Sequence, residues 1–218
     1  MVEIKFCGMT RAEDAREAVA AGARYVGVVF AGGPRRQDEA GAATIFAALP
    51  PAVDRVGVFG REPSKVIVAR ARALGLSVVQ LHGDSSAQEV EALRRDWERP
   101  IWVALRIAGR ELPERSRELF ATADAVVLDA KVDGALGGTG VALSWEALSA
   151  PVGAVRSGGR AGLVLAGGLR PENVARAVTA LRPDVVDVSS GVEAQVGIKD
   201  PARMRAFRDA VRSVEGTR

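Results

Sequence analysis

The chain contains one cysteine, Cys7. It stands at the end of the alternating run Val2-Glu3-Ile4-Lys5-Phe6 and directly before Gly8-Met9-Thr10-Arg11. A thiol at the mouth of a strand can act as a proton acceptor or a nucleophile. A lone cysteine can equally be a small buried hydrophobe. Asp129 ends a second run, Ala125-Val126-Val127-Leu128, in which every residue is apolar. A carboxyl group at such a strand end is a candidate proton donor. The alternative is a helix cap or loop ligand, with Lys131 as an ion-pair partner. Arg36 follows Phe30 through the turn Gly32-Gly33-Pro34. A guanidinium fork there can hold a planar carboxylate by two hydrogen bonds. Arg35 beside it leaves the choice between the two arginines open. His82 is the only histidine, and both substrate lining and structural hydrogen bonding fit it. No His/Cys/Asp cluster has metal-ligand spacing.

Two glycine-rich segments suggest an anion site. One is Ala166-Gly167-Gly168-Leu169, followed by Pro171-Glu172-Asn173. The other is Asp187-Val188-Ser189-Ser190-Gly191-Val192-Glu193. Glycines let backbone N–H groups approach a phosphate closely. Each loop alone could be a turn that needs positive φ. Both together, at consecutive strand ends, favour phosphate.

These residues need a scaffold that brings strand ends together. The alternation of apolar runs and amphipathic stretches predicts strands over 4–7, 25–30, 55–59, 77–81, 101–106, 125–129, 162–166 and 185–189. Helices are predicted over 11–21, 39–49, 64–74, 86–97, 115–121, 144–148, 171–181 and 201–214, with 152–162 read as an extended loop. Several strands are apolar along most of their length, as in a parallel sheet covered on both faces by helices. Eight βα units in 218 residues give about 27 residues each, the lower end of what an α/β (β/α)8 TIM barrel requires. The expected organisation is one domain over 1–218. An open doubly wound sheet is the alternative, but the first strand lacks the nucleotide-binding glycine signature. In a barrel, function gathers at the C-terminal ends of the strands. Cys7, Arg36, His82, Asp129, Gly167, Gly168, Asp187, Ser190 and Gly191 all fall there.

Composition narrows the function classes. A single cysteine excludes an internal disulfide and fits a reducing, cytoplasmic compartment. No apolar run approaches the roughly 20 residues of a membrane helix. The net charge of +3 comes from arginines scattered beside acidic residues, and aromatics are only 5%. A nucleic-acid surface would cluster both, so a small anionic substrate is the better expectation.

Six segments, in order, resemble N-(5′-phosphoribosyl)anthranilate isomerase, the TrpF family of tryptophan biosynthesis. They are Lys5-Phe6-Cys7-Gly8-Met9-Thr10, Val79-Gln80-Leu81-His82-Gly83, Leu128-Asp129-Ala130-Lys131, Gly137-Gly138-Thr139-Gly140, Ala166-Gly167-Gly168-Leu169-Arg170-Pro171-Glu172-Asn173-Val174 and Asp187-Val188-Ser189-Ser190-Gly191-Val192-Glu193. The resemblance implies a cofactor-free barrel, monomeric or homodimeric, that performs an Amadori rearrangement of a phosphorylated aminoaldose. It implies Cys7 as general base, Asp129 as general acid and Arg36 as the anthranilate carboxylate ligand. It places Gly167, Gly168, Ser190 and Gly191 in the phosphate loops and Asp187 and His82 along the site. The segment Gly33-Pro34-Arg35-Arg36-Gln37-Asp38-Glu39 departs from the family's Ser-Pro-Arg loop. Counting from Phe30 favours Arg36, and matching the Pro-Arg pair favours Arg35. The related histidine-pathway isomerase carries aspartate where Cys7 stands, so Cys7 argues against that reading. A phosphate-binding barrel without activity is the reading from another class.

Overall fold

The computed structural model describes residues 1–107, 111–130 and 145–215. Lys131 and the segment 137–140 therefore lie outside the described residues. Eight parallel strands close into a barrel in sequence order: β1 (Glu3–Phe6), β2 (Tyr25–Val29), β3 (Asp54–Phe59), β4 (Val78–Leu81), β5 (Ile101–Ile107), β6 (Ala125–Ala130), β7 (Gly162–Ala166) and β8 (Val185–Val188). The seam pairs β1 with β8, with Lys5 opposite Asp187 and Phe6 opposite Val188. The open doubly wound alternative is thereby excluded.

Helices follow the strands: α1 (Ala12–Ala20), α2 (Glu39–Ala47), α3 (Ser64–Ala73), α4 (Ala87–Arg94), α5 (Ser116–Thr122), α6 (Trp145–Ser157), α7 (Val174–Leu181) and α8 (Pro201–Ser213). Their ends follow local chemistry. Ser86 and Glu89 form a reciprocal capping box on α4. Asp200 caps α8 ahead of Pro201. Gly22 follows α1 at φ +80° and Gly75 follows α3 at φ +59°, the left-handed residues that end helices. A short antiparallel ribbon, β9 (Glu193–Gln195) and β10 (Ile198–Lys199), precedes α8.

One prediction fails. The segment 152–162 is not an extended loop, because α6 runs through Pro151 to Ser157. Pro151 brings no N–H, which ordinarily breaks a helix. Trp145, Leu148 and Val152 nevertheless form a buried stripe at helical spacing, and their burial outweighs the lost bond.

Because strand side chains alternate, each strand presents one set to the helices and one to the barrel interior. On β1, Ile4 and Phe6 join the large core between barrel and helices, so Glu3, Lys5 and Cys7 turn inward. On β6, Ala125 and Val127 belong to the small inner core, and Asp129 continues that series. On β8, Val185 is inner and Val188 is outer, which turns Asp187 and Ser189 inward. The inner core also holds Val56, Val78, Trp102, Ala104 and Val164, with Tyr25 packed on it. Tyr25 meets Trp102 edge-on, with ring centroids 4.9 Å apart. The barrel is thus plugged with apolar side chains below and lined with polar ones above.

The seam depends on α8. Phe207 is fully buried and packs against Phe6 of β1, with ring centroids 6.1 Å apart. Phe207→Ala is expected to cost about 3–5 kcal/mol through lost burial and the cavity it leaves. A urea titration that shows no drop in the unfolding midpoint would refute this role for Phe207.

Candidate active site

A cavity of about 410 Å³ opens at the C-terminal ends of the strands. Its walls come from the inward series: Cys7 from the end of β1, Gln80 and His82 from β4, Asp129 from β6, and Asp187 and Ser189 from β8. Gly167, Gly168 and Ser190 line it as well. Cys7 and Asp129 stand three strands apart around the ring, on different walls of one cavity. A recess of about 540 Å³ adjoins it through shared Gly168, Leu169 and Ser190, and adds Gly191, Arg170 and Arg203. A larger cavity, about 900 Å³, lies at the opposite end beside Glu3 and Asp184. It includes none of the residues singled out for chemistry.

The two glycine loops form one cradle. Gly167 and Gly168 have φ +86° and +64°, which a side chain resists. At Gly191 a Cβ would overlap the Leu169 carbonyl oxygen, so the two backbones touch and no larger residue fits. Asn173 braces the first loop: its side-chain amide donates to the Gly168 carbonyl at 3.0 Å, and its carbonyl oxygen accepts from the Arg170 N–H at 2.8 Å. Backbone groups held this closely are suited to an anion.

Beneath Cys7 lies a buried charge pair that sequence reading did not single out. The Lys5 side chain is 0% exposed, and its ammonium meets Asp187 Oδ2 at 2.6 Å. Burial alone would favour the neutral amine, but Asp187 and Cys7 outweigh it and hold the Lys5 pKa above its ordinary value. Burial pushes the Cys7 thiol up, and the Lys5 ammonium draws it part of the way back. Asp187 Oδ1 is buried without a protein partner. His82 Nε2 lies 3.8 Å from Asp129 Oδ2, and burial pulls its pKa below the ordinary value despite that carboxylate. Burial thus favours the neutral imidazole of His82.

The two candidate arginines diverge. Arg36 is exposed and does not line the cavity; Arg35 does. Arg36 is turned away because its backbone bridges Val29 in parallel fashion and Gln37 N–H donates to the Val29 carbonyl. Arg35 instead crosses the mouth above Gly8. A Cβ at Gly8, itself at φ +70°, would lie 2.6 Å from Arg35 Cδ and 2.8 Å from Ser189 Oγ. Arg35 Nε and Nη2 donate to the two Glu193 oxygens at 2.7 and 2.6 Å. Glu193 also meets Lys199 Nζ at 3.0 Å, its register partner across the ribbon. Lys199 in turn donates to the Ser189 carbonyl. This network ties the arginine to the loop that follows β8. Alternation along β1 could have flagged Lys5, two residues before Cys7. Nothing local flags Lys199.

Comparisons with known proteins identify the family. The family model described as N-(5′-phosphoribosyl)anthranilate (PRA) isomerase matches residues 4–210. The chain belongs to that family. An N-(5′-phosphoribosyl)anthranilate isomerase from Pseudomonas aeruginosa (strain UCBPP-PA14) is 45% identical over 214 residues, covering 97% of this chain and 96% of the relative. The crystal structure of phosphoribosyl anthranilate isomerase from Thermotoga maritima superposes with a TM-score of 0.85 at 34% identity, covering 98% of this chain and 100% of that one. A phosphoribosyl anthranilate isomerase in complex with reduced 1-(o-carboxyphenylamino)-1-deoxyribulose 5-phosphate has a TM-score of 0.83 at 32% identity, with coverage of 98% and 100%. The chain is therefore an isomerase of this family, an enzyme of tryptophan biosynthesis built as a (β/α)8 barrel.

The Glu193 network has a testable pH dependence. Burial alone would raise its carboxyl, but Arg35 and Lys199 outweigh burial and hold it below its ordinary value. A depressed native pKa adds stability above the unfolded value, and that stability is lost as pH falls through the native one. Glu193→Gln leaves a buried lysine without its counter-charge and is expected to cost about 3–5 kcal/mol at neutral pH. The gap to wild type in urea midpoint should narrow as the pH falls below the ordinary carboxylate range and through the depressed Glu193 value. A gap that is constant with pH would show that the carboxylate charge is not what stabilises the network.

Proposed function

We propose that the site converts N-(5′-phosphoribosyl)anthranilate into 1-(2-carboxyphenylamino)-1-deoxyribulose 5-phosphate, with Asp129 as general acid and Cys7 as general base. The observation that carries the reading is that Cys7 and Asp129 line one cavity from strands three apart. A ribose held between them meets an acid on one side and a base on the other. Asp129 donates a proton to the furanose oxygen, and the C1′–O bond breaks as the anthranilate nitrogen forms a Schiff base. Cys7 then takes the proton from C2′, and the electron pair moves toward nitrogen to give an enolamine. Tautomerisation of the enol at C2′, with protonation at C1′, gives the ketone. No net oxidant is needed, because C1′ is reduced as C2′ is oxidised.

The remaining groups fit the two ends of this substrate. The glycine cradle and the hydroxyl of Ser190 suit the 5′-phosphate. Arg35, rather than Arg36, is the proposed ligand for the anthranilate carboxylate. Its Nε and one N–H of Nη2 are taken by Glu193, so the two Nη1 N–H groups and the second of Nη2 are left for the substrate. Asp187 Oδ1, which has no protein partner, can accept from a ribose hydroxyl. Neutral His82 beside Asp129 adds no competing positive charge there.

General acids and bases each contribute roughly 10²–10⁴ in rate. Cys7→Ala and Asp129→Asn are each expected to lower kcat by about that factor with the unfolding midpoint little changed. Turnover is followed through the loss of substrate fluorescence in purified protein. Near-full activity in either folded variant would remove that residue from its role. In the same assay, Arg35→Ala is expected to raise KM by roughly tenfold or more, the equivalent of a lost charge-assisted contact. Arg36→Ala should leave KM unchanged, and the reverse pattern would return the carboxylate to Arg36.

A further inference from the structure

Lys5 has no place in the acid–base pair, yet its charge is fully buried inside the barrel. It sits on the inner face two residues below Cys7, fully enclosed, with its ammonium 2.6 Å from Asp187 Oδ2. β2 shows where that ammonium points. A Cβ placed on Gly27 would lie 2.7 Å from Cys7 Sγ and 3.2 Å from Lys5 Nζ. The two atoms therefore converge on one spot above Gly27, less than about 6 Å from each other. Gly27 does not have the positive φ that would demand glycine. Its missing side chain is the space that the thiol and the ammonium share.

We propose that Lys5 is a positioning residue for the isomerisation: its ammonium, anchored by Asp187 beside the Cys7 sulfur, stabilises the thiolate through which the base acts. This rests on the reading of Cys7 as the base. A thiol closed into a barrel resists ionisation, because burial disfavours the charged form. A fixed cation beside the sulfur offsets that cost without donating a proton. Cys7 enters the cycle by losing its thiol proton to water, takes the C2′ proton, and gives one up again as the product forms. Lys5 stays an ammonium throughout, since Asp187 favours its charged form.

Four charged groups face Cys7: Lys5 from β1, Asp187 from β8, Lys199 from β10 and Arg35 from the loop after β2. Lys199 and Arg35 are both bound to Glu193. Asp187 opposes ionisation of the thiol, and its effect is smaller than that of Lys5. Lys5 is therefore the cation whose removal the thiol would feel most.

The test reads the thiol itself. Cys7 is the only cysteine, so the pH profile of alkylation by iodoacetamide reports this group alone. In Lys5→Met the midpoint is expected to rise by about one pH unit or more. Isomerase kcat at neutral pH should fall roughly tenfold and recover as the pH is raised, with KM little changed. Lys5→Met strands a buried carboxylate and can prevent folding. The pair Asp187→Asn and Lys5→Met/Asp187→Asn removes that charge. The double variant should show the higher midpoint of the two. An unchanged midpoint in folded Lys5→Met, or in the double variant against Asp187→Asn, overturns the proposal. Full isomerase activity in Cys7→Ala would instead overturn the base assignment, which the alkylation profile does not depend on.

Discussion

The Lys5–Asp187 ion pair is the interaction on which the upper half of this barrel turns. It spans the seam between β1 and β8, where the sheet closes on itself. An ionised pair inside a barrel is expensive to desolvate, and apolar residues of the same volume would often be at least as stable. Its presence is therefore poorly explained by stability alone. It makes sense once its position is considered: the pair separates the apolar plug of Tyr25 and Trp102 from the polar mouth. It also holds a fixed charge below the thiol and leaves one carboxylate oxygen, Asp187 Oδ1, without a protein partner. Removing either partner alone leaves a buried charge with no counterpart.

The polar mouth follows from strand parity carried one residue further. Ala125, Val127 and Asp129 are one inward series; so are Val185, Asp187 and Ser189. A residue beyond the apolar layer changes from core to site without any change in backbone direction. Cys7 is read in the same way. It is largely buried, at 9% exposure, and so satisfies the description of core filler, yet it lines the cavity. Burial and chemistry are compatible here because the layer beneath it is charged.

Most of the architecture was legible because it rests on local signals. Apolar runs gave eight strands in the right order, with no end displaced by more than one residue. Amphipathic stretches between them gave the eight helices. The exception, α6, shows the limit of that reasoning. Pro151 and the glycines after it read as breakers, while the stripe of Trp145, Leu148 and Val152 that overrides them matters only once a barrel exists to bury it. The site divides along the same line. Cys7, Asp129 and the glycine loops stand at strand ends and are visible from pattern. The choice between Arg35 and Arg36 depends on a backbone bridge to Val29 and on Glu193, 158 positions away. No spacing rule along the chain contains that information.

Glu193 shows how the two ends of the substrate site are mechanically one object. Its carboxylate holds the arginine proposed for the anthranilate end and the lysine that reaches the Ser189 carbonyl at the end proposed for the phosphate. Ser189 also crowds Gly8, directly after Cys7. A displacement of the arginine is thus transmitted through Glu193 and Lys199 to the loop proposed to cradle the phosphate, and through Gly8 to the residue beside the thiol. Acid–base chemistry on an open-chain sugar tolerates little misplacement of the base relative to C2′, since small positional errors carry large rate penalties. A rigid bridge between the two binding ends limits that error more effectively than two independent ligands would. On this view the Arg35–Glu193 fork serves orientation as much as affinity. It explains why an arginine proposed to bind a substrate carboxylate already spends two of its donors on one from the protein.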